Sequence, residues 1–192
     1  MKINRIVINN YRLLKDFSLD LERDLSLIIG KNNTGKTSIL SVIEKFLNST
    51  DLSRFSNDDF NLNFKESLKE SWDGEALISD GIKLYIYIDY EETDDLSNIS
   101  KVMMDLDPDN NMIVLGFEYI LSESAHFKFK SDYKGFLENE NTKKHTDNQY
   151  KPKDFNYFFK HNYSTYFKHF RKSIKYNHIS KEIDLKKFNR RK

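Results

Sequence analysis

The sequence predicts an α/β fold built around a glycine-rich loop between a strand and a helix, and three consecutive stretches support this prediction. Residues 25–29 (LSLII) form a short apolar run that is typical of a buried strand. Residues 30–38 (GKNNTGKTS) match the pattern G-x-x-x-x-G-K-T. Residues 39–47 repeat apolar side chains at helical spacing. A strand, a glycine loop and a helix in this order direct unpaired backbone N–H groups and the helix dipole at an anion.

The residue types in this loop suit a nucleoside triphosphate with Mg²⁺, and ATP with Mg²⁺ is the predicted ligand. We expect Gly30 and Gly35 to adopt positive φ and to let the backbone approach a phosphate closely. The Lys36 ammonium would contact the β- and γ-phosphates, and the Thr37 hydroxyl would ligate Mg²⁺. The loop residues predicted to bind the nucleotide are Gly30, Asn33, Thr34, Gly35, Lys36, Thr37 and Ser38. The alternative is a chance Gly- and Asn-rich turn before a helix, which the flanking strand and helix disfavour.

Two strands are predicted ahead of the loop. Residues 2–9 read as a strand that ends at an Asn-Asn turn. Residues 17–21 alternate apolar and polar side chains, as a strand with one buried face does. In kinases and GTPases the strand before the loop usually comes first, so this opening disfavours a small-molecule kinase.

Together with the loop, this opening resembles the N-terminal lobe of the ATPase heads grouped as RecF, SMC and OLD (overcoming lysogenisation defect). Asn10-Tyr11-Arg12 matches the family's N-[FY]-R, and Gly30-Lys31-Asn32-Asn33 matches its G-x-N-N. The resemblance implies an ABC- or SMC-head-like P-loop lobe. It also implies that Arg12 approaches the nucleotide phosphates and that Asn33 helps to order the attacking water or the γ-phosphate. The alternative for Arg12 is a surface charge after a strand.

Residues 55–60 (FSNDDF) look like the F-[ST]-x-x-D-F stretch that follows the first helix in OLD-type proteins, where it is mainly architectural. Asp58 and Asp59 raise the possibility of a metal site. A helix N-cap at Ser56 or Asp58 explains the pattern better, because Ser and Asp side chains accept hydrogen bonds from the first N–H groups of a helix. Residues 62–80 indicate a short helix and a loop.

Three later strands are predicted over residues 81–89, 112–121 and 126–130, and they would form an antiparallel side sheet. Two stretches imitate a Walker B strand, one ending at Asp89 and one containing Asp105. We expect neither to act as one. The first alternates apolar and polar side chains and the second has helical spacing, whereas a Walker B strand is buried on both faces.

The chain is expected to divide into an ATP-binding lobe (1–133), a polar linker or disordered loop (134–153) and a basic, aromatic-rich helical segment (154–192). The linker prediction depends on the lack of any periodicity. In the last segment, aromatic residues recur at steps of three and four between Lys, Arg and His. This pattern favours a core face or a dimer contact, and a DNA-binding surface is the alternative.

The net charge of +1 hides a strong asymmetry. Residues 151–192 hold thirteen Lys and Arg but three Asp and Glu, a net charge of +10 against −9 for the remaining 150 residues. A basic segment on an acidic body suggests a polyanion or an acidic protein surface as partner. With no cysteine the chain has no disulfides or thiolate metal sites. No signal peptide or membrane span is evident, so a cytoplasmic location is expected.

Several parts of a complete ATPase head are missing from the sequence. No Ser-Gly-Gly signature occurs, and the one glutamine, Gln149, lies in the predicted linker. Nothing resembles the acidic cluster of a Toprim nuclease domain. We therefore expect the front part of a larger ATPase that holds ATP–Mg²⁺ but hydrolyses it weakly or not at all alone. A homodimer or a partner ATPase half would complete the site.

The leading functional hypothesis is the ATP-binding lobe of an OLD-type DNA-processing ATPase and endonuclease, a group that includes phage-defence systems such as Gabija. The alternative is a non-catalytic nucleic-acid-binding or assembly module in which the nucleotide is a structural ligand. Whether the chain is an enzyme by itself is left open by the sequence.

Overall fold

A five-stranded antiparallel sheet with the strand order β2-β1-β3-β4-β5 organises the protein. The computed structural model describes residues 1–48, 55–74, 76–91, 93–95 and 111–174. The strands are β1 (Lys2–Tyr11), β2 (Leu14–Asp20), β3 (Gly81–Asp89), β4 (Met112–Leu121) and β5 (Phe167–Ile174). The helices are α1 (Lys36–Leu47), α2 (Leu62–Asp73), α3 (Glu123–Thr146) and α4 (Phe155–Tyr166), with a short 3₁₀ turn at Asn57–Asp59. The protein is thus a mixed α/β lobe.

The main core lies between one face of the sheet and the helices, and aromatic side chains dominate it. Trp72 of α2 packs edge-on against Phe129 of α3 and Phe155 of α4, with ring centroids 4.8 and 5.3 Å apart. Phe60 meets Phe159 of α4 at 5.2 Å. Such pairs add to the free energy of area burial by about 0.5–1.5 kcal/mol each. Helices α2, α3 and α4 are therefore part of one core with α1.

Helix α3 occupies two stretches for which the sequence predictions were wrong. Residues 126–130, expected to be a strand, and residues 134–146, expected to be linker or loop, both belong to this helix. The helix begins after Ser122, whose hydroxyl accepts a hydrogen bond from Ala125 N. Phe129 and Tyr133 are four residues apart and both pack on Trp72. Their contact with another helix overrides the local alternation of apolar and polar residues, which suggested a strand.

The last predicted segment also divides differently. The aromatic stripe of residues 154–166 forms helix α4, and Phe155, Phe158, Phe159 and Tyr166 are buried. Residues 167–174, expected to be helical, form the edge strand β5 paired with β4. Phe167 and His169 lie on the core face, where the His169 ring is 4.5 Å from Tyr119. Because pairing with β4 is a long-range contact, local periodicity could not predict it.

Residues 25–29 do not join the sheet, contrary to the prediction of a buried strand. Leu25, Leu27 and Ile29 are 80, 77 and 81 % exposed. The apolar run is real, but no neighbouring strand covers it in the described part of the chain. In that same part, none of the helices is sufficiently long and apolar to cross a membrane.

Candidate phosphate-binding site

The glycine loop lies between the exposed segment 25–29 and the N-terminus of α1. A cavity of about 150 Å³ opens on it, lined by Leu13 and residues 32–38. Every residue of the pattern from Asn32 onward therefore faces one small space. The loop residues predicted to bind the ligand line this cavity together, except Gly30, which lies next to Thr34 and Lys36 but is not among the lining residues.

The loop uses positive φ at two positions, and one of them differs from the prediction. Gly35 has φ 88° and forms the N-cap of α1. The second positive value, 64°, belongs to Asn33, while Gly30 does not adopt one. Asparagine tolerates the left-handed region better than most residues, so the chain reverses direction there without a glycine.

Gly30 instead keeps the interior of the loop open. A Cβ placed on Gly30 would lie 3.2 Å from Thr34 Oγ1 and 3.8 Å from Lys36 Nζ. Any side chain would therefore intrude among the polar groups that surround this space. A glycine where backbone and cationic groups converge is what close approach of a phosphate requires.

Lys36 folds back over the loop. Its Nζ donates hydrogen bonds to the carbonyl oxygens of Gly30 and Lys31, each at 2.5 Å. The Thr34 hydroxyl donates to the Lys31 carbonyl at 2.9 Å, which closes the loop on itself. The ammonium is thus held over the loop interior, where a bound anion would meet its charge. A phosphate oxygen would compete with these carbonyls for the ammonium protons.

The start of α1 adds backbone donors to the same space. Gly35 has no side chain to cap the helix, and the first bond of this turn runs from Ser38 N to Gly35 O at 3.0 Å. The N–H groups that open a helix carry its positive dipole end and suit an anion. Thr37 is exposed, which suits a hydroxyl that ligates Mg²⁺, whereas the Ser38 side chain is buried. Ser38 nevertheless lines the cavity together with Thr37.

The turn between β1 and β2 forms the floor of the loop. A Cβ on Gly35 would lie 2.9 Å from Leu14 Cδ2 and 3.8 Å from Leu13 Cβ. The Tyr11 hydroxyl hydrogen-bonds Ser41 Oγ of α1 at 2.9 Å, and burial raises the pKa of Tyr11 to about 12. The family resemblance identified Asn10-Tyr11-Arg12, but no sequence pattern indicated that Leu13 and Leu14 would support the loop.

Arg12 lies beside the site but is bound to another residue. Its Nε and a terminal nitrogen donate to Asp59 Oδ1 at 3.0 and 2.9 Å. Arg12 has φ 48°, so the turn is held in an unusual conformation. The next residue, Leu13, lines the cavity. Arg12 is therefore next to a residue that lines the cavity, but its guanidinium contacts Asp59, and the contact of Arg12 with phosphate stays a prediction.

The first Walker B imitation lies far from the loop. Asp89 pairs with Lys2, at the opposite end of β1 from Tyr11, and accepts a hydrogen bond from Asn4 Nδ2 at 2.6 Å. At about 3.3 Å per strand residue, this places it far from the turn under the loop. The stretch containing Asp105 lies outside the described residues. Within the described ranges, no group of three His, Asp or Glu could hold a metal ion.

The mixed α/β fold, with an antiparallel sheet and a glycine loop at the N-terminus of α1, is consistent with the class of AAA-type ATPase domains. The chain belongs to the AAA ATPase domain family, whose profile matches residues 1–192.

A shorter stretch is similar to bacterial proteins named DNA replication and repair protein RecF. Over 43 residues the identity is 46 % with the protein of Histophilus somni, 44 % with that of Haemophilus ducreyi and 42 % with that of Actinobacillus pleuropneumoniae. This stretch is 22 % of the present chain and 12 % of each RecF protein. The similarity supports a P-loop ATPase of the RecF and SMC group, and the closer relation to OLD proteins stays a prediction.

Proposed function

We propose that this chain is the ATP-binding lobe of a DNA-associated ATPase and that loop 30–38 holds the triphosphate with Mg²⁺. The observation that carries the proposal is the position of Lys36, whose ammonium is folded over the loop interior within 2.5 Å of two loop carbonyls. The open N-terminus of α1 and the cavity over the loop provide the remaining donors and the space.

Each residue of the loop would then have one task. Lys36 would exchange its loop carbonyls for the β- and γ-phosphate oxygens, and the amides from Asn33 to Thr37 would surround the β-phosphate. The Thr37 hydroxyl would ligate Mg²⁺, which bridges phosphate oxygens and neutralises their charge. Gly30 would admit the phosphate, and Thr34 would keep the loop closed through Lys31.

Among the described residues, no carboxylate lines the same cavity. Its lining consists of Leu13 and residues 32–38, and none of these is Asp or Glu. A positioned water and a metal-binding acid are needed for hydrolysis. The chain by itself is therefore expected to hold ATP and to hydrolyse it slowly or not at all.

A partner ATPase half would complete this site, and a homodimer is the alternative. The exposure of Leu25, Leu27 and Ile29 supports completion, because contiguous exposed apolar side chains mark a surface that packs against a partner. Leu40 on α1 is also largely exposed. The completing segment would add a strand beside residues 25–29 and would bring the missing acid.

A finer proposal is an OLD-type ATP-dependent endonuclease of the group that includes phage-defence systems, with the nuclease domain outside this sequence. The N-Y-R, G-K-N-N and F-S-N-D-D-F stretches support it. The name of the RecF proteins supports an association with DNA. Any DNA contact through residues 154–192 would use exposed basic side chains such as Lys160, Lys168 and Arg171, since most aromatic side chains of α4 are buried.

Calorimetric titration with Mg-ATP tests the proposal on two lysine variants. Lys36→Ala removes the ammonium over the loop, and we expect a loss of affinity of roughly ten- to a hundredfold, the effect of charge-assisted hydrogen bonds. Lys31→Ala is the matched control, because it makes the same charge change and keeps the carbonyl that Lys31 contributes. Equal affinity in the wild type and Lys36→Ala would overturn the proposal.

The alternative function, a non-catalytic nucleic-acid-binding module, makes a different prediction for Lys36→Ala. It would retain DNA after Lys36→Ala, with binding that falls steeply as salt rises. Retention measured on both variants between low and physiological salt separates the two functions.

A further inference from the structure

Asp59 is a fully buried carboxylate that binds two cations. Its Oδ1 accepts from Arg12 at 2.9–3.0 Å and its Oδ2 from Lys45 Nζ at 2.6 Å. The Ser56 amide and hydroxyl also donate to Oδ2, at 2.8 and 3.1 Å. The Asp59 side chain is 0 % exposed, whereas that of Arg12 is 40 % exposed. The carboxylate is therefore saturated and interior, while one partner reaches the surface.

These contacts join three elements around the phosphate loop. Arg12 belongs to the β1–β2 turn that supports Gly35, Lys45 belongs to the last turn of α1, and Asp59 ends the 3₁₀ turn. Backbone bonds reinforce the joint: Arg12 N donates to Asp59 O at 2.8 Å and Asn61 Nδ2 donates to Arg12 O at 2.5 Å. The position of Arg12 relative to α1, and so to the loop, is fixed by this acid.

The charge of the cluster favours an anion on its exposed side. Two cations surround one carboxylate, which leaves a net charge of +1. Asp59 contacts one edge of the planar guanidinium, whose fork can bind a second acceptor on its other edge. Leu13, adjacent to Arg12, lines the cavity over the loop.

We propose that Asp59 is a positioning residue of the nucleotide site, which holds Arg12 so that the exposed edge of its guanidinium meets a phosphate of the nucleotide bound in the loop. The proposal rests on the proposed function, since it needs a nucleotide in that loop. It gives the second acid of the F-S-N-D-D-F stretch a role in binding, in addition to its part in the 3₁₀ turn. Burial alone would raise the pKa of Asp59, but the hydrogen bonds from Lys45, Ser56 and Arg12 outweigh it and lower the pKa, so the acid is charged.

A double-mutant cycle on Arg12→Gln and Asp59→Asn tests this. We expect each single variant to bind Mg-ATP roughly tenfold more weakly, as for loss of one charge-assisted contact. We expect the double variant to be no weaker than Arg12→Gln, because Asp59 acts through Arg12. Affinity for adenosine should stay within about twofold in all variants, since it has no phosphate for Arg12 to contact.

Lys45→Gln is the matched control, because it removes the other cation of the same carboxylate. It should lower the stability of the chain without a phosphate-selective loss of affinity. Arg12→Lys keeps the charge but loses the fork, so we expect an affinity between those of the wild type and Arg12→Gln. If Asp59→Asn does not fold, Arg12→Gln and Arg12→Lys still test whether the guanidinium contacts the phosphate, and Lys45→Gln tests whether weakening the Asp59 cluster is sufficient to lower affinity.

Two results would overturn the proposal: unchanged ATP affinity in Arg12→Gln, or additive losses in the double variant. Failure of the wild type to bind Mg-ATP would instead refute the proposed function. Wild-type binding that depends on Lys36 but not on Arg12 would refute the positioning role alone.

Discussion

Gly35 shows how a single residue joins the backbone geometry of the loop to the core beneath it. Its φ of 88° lies where side chains are strained, and Leu14 Cδ2 would lie 2.9 Å from an added Cβ. Gly30 has no such backbone constraint, and an added Cβ would meet the Thr34 hydroxyl instead. Gly35 is thus required by the fold, while Gly30 keeps open the space in which the phosphate is proposed to bind.

These two glycines should respond differently to the same substitution. We expect Gly35→Ala to lower the free energy of unfolding by about 1–2 kcal/mol from backbone strain, with the contact to Leu14 adding to it. Gly30→Ala should change that free energy by less than about 0.5 kcal/mol but weaken ATP binding. Urea denaturation and calorimetry on both variants provide the test. Equal destabilisation by the two would contradict this interpretation.

At the scale of the elements, segment 25–29 is an apolar stretch that no strand of the described residues covers. Replacing Leu25, Leu27 and Ile29 together with Gln should leave the thermal midpoint nearly unchanged, because exposed side chains contribute little to stability. Self-association should fall in the same variant, since its apolar surface is removed. Sedimentation and thermal unfolding measure the two effects.

Leu84→Ala is the comparison for that experiment. Leu84 is fully buried in β3, and its truncation should cost about 2–5 kcal/mol. If the triple Gln variant unfolds as Leu84→Ala does, segment 25–29 is buried in the chain and the proposal of a completing strand is wrong.

The connection between α3 and α4 depends on Glu140. Its buried carboxylate accepts from Lys143 Nζ and Tyr150 OH at 2.7 Å and from Lys153 N at 2.9 Å. The hydrogen bond from Lys143, followed by those from Lys153 and Tyr150, lowers the pKa of Glu140 to about 2. Because the ordinary value is 4.5, the charged form stabilises the fold fully above that pH and loses this effect as pH falls towards 2.

Glu140→Gln should therefore lower the thermal midpoint at pH 7. The difference from the wild type should shrink steadily as the pH is lowered from 5 towards 2, as measured by thermal unfolding at each pH. A difference that stays constant over this range would show that the charge of Glu140 does not stabilise the connection.

Local patterns predicted the loop, helix α1 and strands β1, β3 and β4, because each carries its own periodicity or spacing. They did not predict helix α3 or strand β5, which are determined by the packing of Phe129 on Trp72 and by pairing with β4. The apolar run 25–29 was recognised, but it is exposed, because burial of a strand needs a neighbour that local pattern does not supply. At the site, the loop residues were predicted, while the floor under Gly35 and the Asp59 cluster required the tertiary structure.

At the scale of the whole molecule, one antiparallel sheet and its helices hold the phosphate loop by its floor and leave its other side exposed. The β1–β2 turn and α1 are fixed to each other through Tyr11 and Asp59, so the cavity is formed before a ligand arrives. The segment 25–29 that leads into the loop is exposed. Under the proposed function, the lobe would bind a triphosphate on this exposed side, and a completing segment would be needed for hydrolysis.

Backbone amide chemical shifts, measured by NMR on the ¹⁵N-labelled chain during titration with Mg-ATP, report directly on the loop. We predict that the largest shifts belong to residues 31–37 and that they are lost in Lys36→Ala but kept in Lys31→Ala. Unchanged amides in this loop at saturating Mg-ATP, or shifts confined to strand β5 and the sheet, would contradict nucleotide binding by the loop.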